Sequence, residues 1–152
     1  MTLRDRLAAD LTEAAKQRDV PRLATLRLIS AAIKDREIAL RGEGQTEPVT
    51  DADVLVILAR MVKQRLESIR AFELGARADL ADKERAEISV IATYLPRQLT
   101  EAEVADAISA AVADTGAAGL RDMGRVMALL RDRHAGQMDF GAAGPLIKAR
   151  LA

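Results

Sequence analysis

Large aliphatic residues recur at helical spacing along the whole chain, and little in it favours a strand. Leu3, Leu7 and Leu11 return every four residues. Leu26, Ile29, Ile33 and Leu40 keep the same rhythm, as do Leu55, Leu58, Val62, Leu66, Ile69 and Phe72. That spacing sets each group along one side of an α-helix, where it can be buried together. The intervening positions are rich in Ala, Arg and Glu, which give up little freedom in a helix. Aromatic residues make up only 2 % of the 152 residues, so the ring packing that sheets exploit is scarce. An all-α fold follows. Alanine is the commonest of the apolar residues, so the larger side chains suffice for thin helical bundles and fall short of a wide enzyme interior.

Punctuation residues divide the pattern. The first helix is expected over about residues 3–18. Pro21 opens a second, where its missing N–H costs nothing. Gly42 and Gly44 end it, and the run GEGQTEPVT at 42–50 reads as a loop. Thr50 or Asp51 caps a third helix, and Gly75 supplies a left-handed residue to stop it. Asp79 starts a fourth, with Leu80, Ile88, Ile91 and Leu95 inward, and Pro96 closes it. Thr100 with Glu103 makes a capping box for a fifth helix carrying Val104, Ile108 and Val112. Gly116 and Gly119 bracket the next turn. A sixth helix runs near 121–134 with Met123, Met127 and Leu130, and a short last helix carries Leu146, Ile147 and Leu151. The expected organisation is an elongated N-terminal helical domain, 1–96, followed by a small C-terminal three-helix domain, 97–152. The elongation follows from helices of about 20–25 residues, since each residue adds ~1.5 Å.

Charge excludes less than usual. Lys+Arg and Asp+Glu both number 23, so no bulk basicity advertises a nucleic-acid binder. A basic surface would have to come from arrangement. Arg27, Lys34 and Arg41 are spaced by seven, as are Lys63, Arg70 and Arg77, and each trio lies along one stripe. Such stripes can track phosphates. They can equally be solvated faces, with Lys34–Glu37 and Lys63–Glu67 pairing inside their helices.

Catalytic chemistry is thin. There is no cysteine, and His134 is the single histidine. No phosphate loop or dinucleotide fingerprint occurs. Ser30, Ser68, Ser89 and Ser109 lie in helical stretches without a nucleophile elbow. Asp51 and Asp53 beside Thr50 suit helix capping better than a cation loop. Asp79, Asp82, Glu84 and Glu87 are interleaved with Lys83 and Arg85, as on a solvated face. The expectation is no catalytic residue, no cofactor and no metal. No apolar run reaches the ~20 residues of a membrane span, and no signal-peptide core is present, so a cytoplasmic chain without membrane partners is expected.

Several segments nevertheless match a known group. LRLISAAIKDREI at 26–38, VKQRLESI at 62–69, FELGARADLADKERAEI at 72–88, YLPRQL at 94–99 and GAAGLRDMGRVMALL at 116–130 resemble the YqeY-like proteins of the GatB/YqeY group. The resemblance implies two all-helical parts and kinship with the tail of GatB in aspartyl/glutamyl-tRNA amidotransferase, which helps hold tRNA. The group's label, carbon–nitrogen ligase activity with glutamine as amido donor, follows from that kinship rather than from reactive residues here. The function expected is a non-catalytic tRNA- or RNA-binding accessory module. The alternative is an adaptor docking on a larger tRNA-metabolism enzyme. By residue type and placement the RNA contacts are expected at Lys63, Arg65, Arg70, Arg77, Arg121, Arg125, Lys148 and Arg150. Tyr94 and Pro96 are expected at a hinge, and Gly124 at a close helix–helix approach. Two departures from the group's pattern stand out: Ala76 where a second glycine is common, and Pro145 within the final helix, which is expected to bend or to begin there.

Overall fold

A computed structural model describes residues 1–152. Its helices are α1 (Leu3–Lys16), α2 (Val20–Gly42), α3 (Asp51–Leu74), α4 (Ala78–Ala92), α5 (Glu101–Thr115), α6 (Met123–Arg133) and α7 (Phe140–Leu151), with a 3₁₀ turn at Leu120–Asp122 before α6. No strand forms. The chain divides into two compact units, Met1–Leu95 and Pro96–Ala152.

Side chains fix the starts of five helices, α1, α2, α3, α5 and α7. Thr2, Thr50 and Thr100 each accept the N–H three residues on, and Asp5, Asp53 and Glu103 reciprocate to the cap backbone. Each cap of this kind contributes about 1 kcal/mol by satisfying donors that the first turn leaves unpaired. Asp19 and Asp139 cap α2 and α7 in the same sense.

Four helix ends share one device. At the ends of α1, α2, α3 and α5 the N–H groups of Asp19, Gln45, Arg77 and Ala117 reach back to the carbonyls of Ala14, Leu40, Phe72 and Val112. The residue before each donor is left-handed: Arg18 (φ 55), Gly44 (φ 82), Ala76 (φ 55) and Gly116 (φ 65). This is the Schellman turn, and it prefers glycine because Cβ crowds the carbonyl there. Gly75 therefore does not play the part the sequence suggested. Its φ is −86, and the left-handed position falls on Ala76 one residue later.

The first unit packs α1 to α4 around Leu26, Ile29, Val54, Leu58 and Ile91, all nearly inaccessible. The stripe on α3 differs from expectation. Val54, Leu58, Met61 and Ile69 are buried, and Leu66 is exposed. Tyr94 is a core residue of this unit rather than a hinge: its ring is buried and its hydroxyl donates to Asp10 Oδ2 at 2.6 Å.

The second unit has its own core of Ile108, Ala111, Val126, Leu130, Met138, Ala143 and Ile147. Gly124 has nothing within 4 Å of where a Cβ would sit, so no helix approaches it. The closer approach is at Gly144, where Met123 Cε lies 3.7 Å from that position. α7 does not begin at Pro145. It starts at Phe140 and runs through the proline. The bond that Pro145 removes points at the Gly141 carbonyl, in the first turn, and a glycine there lets that carbonyl yield.

Candidate nucleic-acid interface

The surface cations are best understood from what already holds them. In the first unit, Arg65 on α3 donates to Glu87 Oε2 on α4 at 2.9 Å and to the Met61 carbonyl at 3.2 Å. It is half-buried and straps two helices together. Arg77 stands between α3 and α4 and grips Asp79 through two bonds of 3.2 Å. Lys63 and Arg70 are exposed on α3. On α2, Arg27, Lys34 and Arg41 are all exposed, and Glu37, the partner expected for Lys34, instead pairs with Arg4 at 2.5 Å.

In the second unit, Arg125 bridges the Thr115 carbonyl (3.1 Å) and Asp122 (2.7 Å), fixing the turn before α6. Arg121, Lys148 and Arg150 are exposed. Lys148 and Arg150 occupy the last turn of α7, where cations also oppose the partial negative charge of the helix end.

Several acidic residues are similarly engaged, whereas Asp35, Glu47, Glu101, Asp106 and Asp132 stand exposed. Asp51 Oδ1 accepts the Leu3 N–H at 3.0 Å, and Asp53 completes the α3 cap. Asp82 pairs with Arg85, which also reaches Glu73. Glu103 is held at a pKa of about 2 by the Arg97 guanidinium and then by the Thr100 N–H. Asp122 is held at about 2 by the Ala118 N–H and then by Arg125. The Tyr94 hydroxyl is pushed up, first by burial and then by its bond to the Asp10 carboxylate.

The remaining candidates for chemistry also have local roles. Ser68, Ser89 and Ser109 return their hydroxyls to carbonyls one turn back. His134 Nδ1 lies 3.1 Å from Gln137 Oε1 at the end of α6. No three His, Asp or Glu side chains gather as a metal cluster. No helix is long and apolar enough to cross a membrane. Two shallow depressions flank Glu37. One, of about 240 Å³, is lined by Arg4, Ser30, Lys34 and neighbours. The other, of about 160 Å³, is lined by Arg41 and the 45–48 loop.

Sequence reasoning missed Arg60. It is exposed on the same outward side of α3 as Lys63 and Arg70. Counting in sevens from Lys63 steps over it, whereas the three-residue interval to Lys63 would have found it.

These features define a class: an all-helical scaffold of two units, many of whose polar groups secure its own helix ends and whose surface carries exposed charges of both signs. The chain belongs to the YqeY-like protein family, whose model matches residues 4–151. It is similar to the protein named altered inheritance of mitochondria protein 41, mitochondrial, from several fungi. Identity is 30 % over 98 residues with the Saccharomyces cerevisiae protein, covering 64 % of this chain and 51 % of the relative. With the Candida glabrata protein it is 34 % over 89 residues, covering 59 % and 47 %. With the Pyrenophora tritici-repentis protein it is 30 % over 139 residues, covering 84 % and 71 %. The chain thus spans about half the length of the yeast relatives it matches.

Proposed function

We propose that this YqeY-family chain is a non-catalytic module that holds folded RNA, tRNA foremost, through phosphate contacts. The observation that carries the reading is the set of exposed cations in each unit: Lys63 and Arg70 on α3, and Arg121, Lys148 and Arg150 in the second unit. Arg77 and Arg125 stay more than half exposed beside their carboxylates, and their remaining N–H groups can face a phosphate. Arg65 contributes by holding α3 and α4 in register. The resemblance to the GatB tail supports tRNA over other RNA. The proposed compartment is the cytoplasm. The fungal relatives carry "mitochondrial" in their names, and both compartments contain tRNA.

The test is filter binding at low salt with tRNA and with a random single-stranded RNA of equal length. Tighter retention of tRNA is expected, because a folded duplex presents phosphates at fixed spacing. Equal retention would overturn the proposal. The adaptor reading is favoured by a different observation, the exposed aliphatic residues of α2.

A further inference from the structure

The outward side of α2 carries an ordered pattern that phosphate binding leaves unexplained. Val20, Ala24, Arg27, Ala31, Lys34, Ile38 and Arg41 alternate at intervals of four and three, and all seven are exposed. That alternation has the spacing of a heptad seam, by which one helix can receive another along its length, with cations at one repeating position and small or aliphatic residues at the other. Arg27, Lys34 and Arg41 recur every ~10.5 Å at ~1.5 Å per residue. None of the three forms a salt bridge within the chain. Between them stand Ala24, Ala31 and Ile38. Ile38 is 61 % exposed, and Val20 at the head of the seam is 68 % exposed. Of the nearby acids, Asp35 flanks the seam, Glu37 is turned toward Arg4, and Glu47 shares a shallow depression with Arg41 at the seam's end without a salt bridge.

We propose that this seam docks an acidic helix of a partner protein, one bearing carboxylates at seven-residue intervals and small or aliphatic residues at the alternate positions. The charges specify the occupant. Three exposed cations without a salt bridge call for carboxylates, and the alanines between them let a second backbone come close. An RNA strand fits less well. The seam contains no amide, hydroxyl or aromatic side chain to bond a sugar or stack a base, and Ile38 and Val20 gain nothing from a phosphate. A second copy of this chain also fits less well. Its acidic helix, α5, has Glu103 and Asp114 already paired with Arg97 and Arg133. The remaining Glu101 and Asp106 are five residues apart, out of register with the seam. The proposal stands independently of RNA binding by α3 and the second unit.

The full chain is titrated by fluorescence anisotropy against a labelled synthetic helix with Glu at every seventh position and Ala or Leu at the alternates. A peptide of identical composition with Glu moved to every fifth position serves as the control. The registered peptide is expected to bind about tenfold tighter than the control or better. Arg27→Glu with Lys34→Glu is expected to abolish the difference, and Ile38→Ser to weaken binding several-fold. Unchanged thermal melts show that these surface variants fold. Equal binding of both peptides would overturn the proposal. So would displacement of the registered peptide by tRNA at lower concentration, or a sedimenting dimer that the charge reversal dissolves. RNA retention lost only in variants of α3 and the second unit leaves the seam standing, so failures of the two proposals are distinguishable.

Discussion

The two units are built on different principles. The first, Met1–Leu95, ties its helices through side chains distant in sequence. Tyr94 donates to Asp10 Oδ2 at 2.6 Å, Arg6 covers the Tyr94 ring at 4.8 Å and bonds the Thr93 carbonyl at 3.0 Å, and Arg65 straps α3 to α4. The second unit, Pro96–Ala152, fastens its opening segment through main-chain carbonyls. Leu99 N–H donates to the Gln137 carbonyl at 2.9 Å, Gln98 Nε2 to the Gly136 carbonyl at 2.7 Å, and Gln137 Nε2 to the Arg97 carbonyl at 3.2 Å. Its charged pairs mostly serve caps and turns. The lesson is that a single polar side chain can loosen the first unit, whereas the second depends on its small core and its caps.

The largest expected effect tests that dependence. Leu130→Ala removes a fully buried side chain from the second core and should cost about 2–5 kcal/mol. Tyr94 is the chain's single tyrosine and reports on the first unit alone. Far-UV circular dichroism should therefore show an earlier transition while the tyrosine signal melts where it did. A tyrosine signal that falls with the variant would break the comparison.

Next comes the first unit's polar tie. Tyr94→Phe leaves the Asp10 carboxylate without its hydroxyl donor, and calorimetry should show a loss of about 1–3 kcal/mol, as for hydrogen bonds to charged groups. No loss would mean that core packing alone holds α1 to the end of α4.

A smaller effect of opposite sign is expected at the helix ends. Ala76→Gly relieves a left-handed alanine and should stabilise the first unit by about 0.5–1 kcal/mol in urea melts. Gly116→Ala should destabilise the second by about 1 kcal/mol for the same reason. Matching signs at both sites would contradict the account of these turns.

The smallest effect is the acid response. Glu103 and Asp122 are depressed to about 2 from 4.5 and 3.8. Groups with lowered folded-state values stabilise above the unfolded pKa, and that contribution disappears as pH falls through the folded one. The second unit should lose stability between pH 4.5 and about 2. Glu103→Gln should flatten part of that slope, and salt should shrink the Glu103 part most, because its side chain is the more open of the two.

Much of this architecture was legible in the residues. The caps are local signals: Thr100 caps α5 as expected, and of Thr50 and Asp51 it is Thr50 that caps α3. The inward face of α3 was not legible. Val54, Leu55, Val56, Ile57 and Leu58 present aliphatic groups all around the helix, so spacing alone cannot choose which row meets the core. Ala76 was missed as the left-handed residue because the glycine beside it is the stronger propensity signal. Placement there is decided by where the last α3 carbonyls find donors. Gly124 misled similarly: a glycine inside a helix suggests close packing, but nothing lies within 4 Å of where its Cβ would sit. Of the cations, residue type identified the exposed ones, but only coordinates separate Arg65, tied to Glu87, from Arg70 on the open surface. The carboxylate partner of Arg65 and the carbonyl that Arg125 reaches lie 22 and 10 residues away.

The proposed function is that this family member grips RNA by exposed cations. Affinity for tRNA measured across a range of salt tests it most directly, with the chain compared against a variant carrying Gln at Arg70, Arg121, Lys148 and Arg150. The account predicts a steep fall of log affinity with log salt, and a slope shallower in the variant by roughly 0.7–0.9 for each phosphate contact removed. An affinity insensitive to salt, or a variant with the parent's slope, would contradict it.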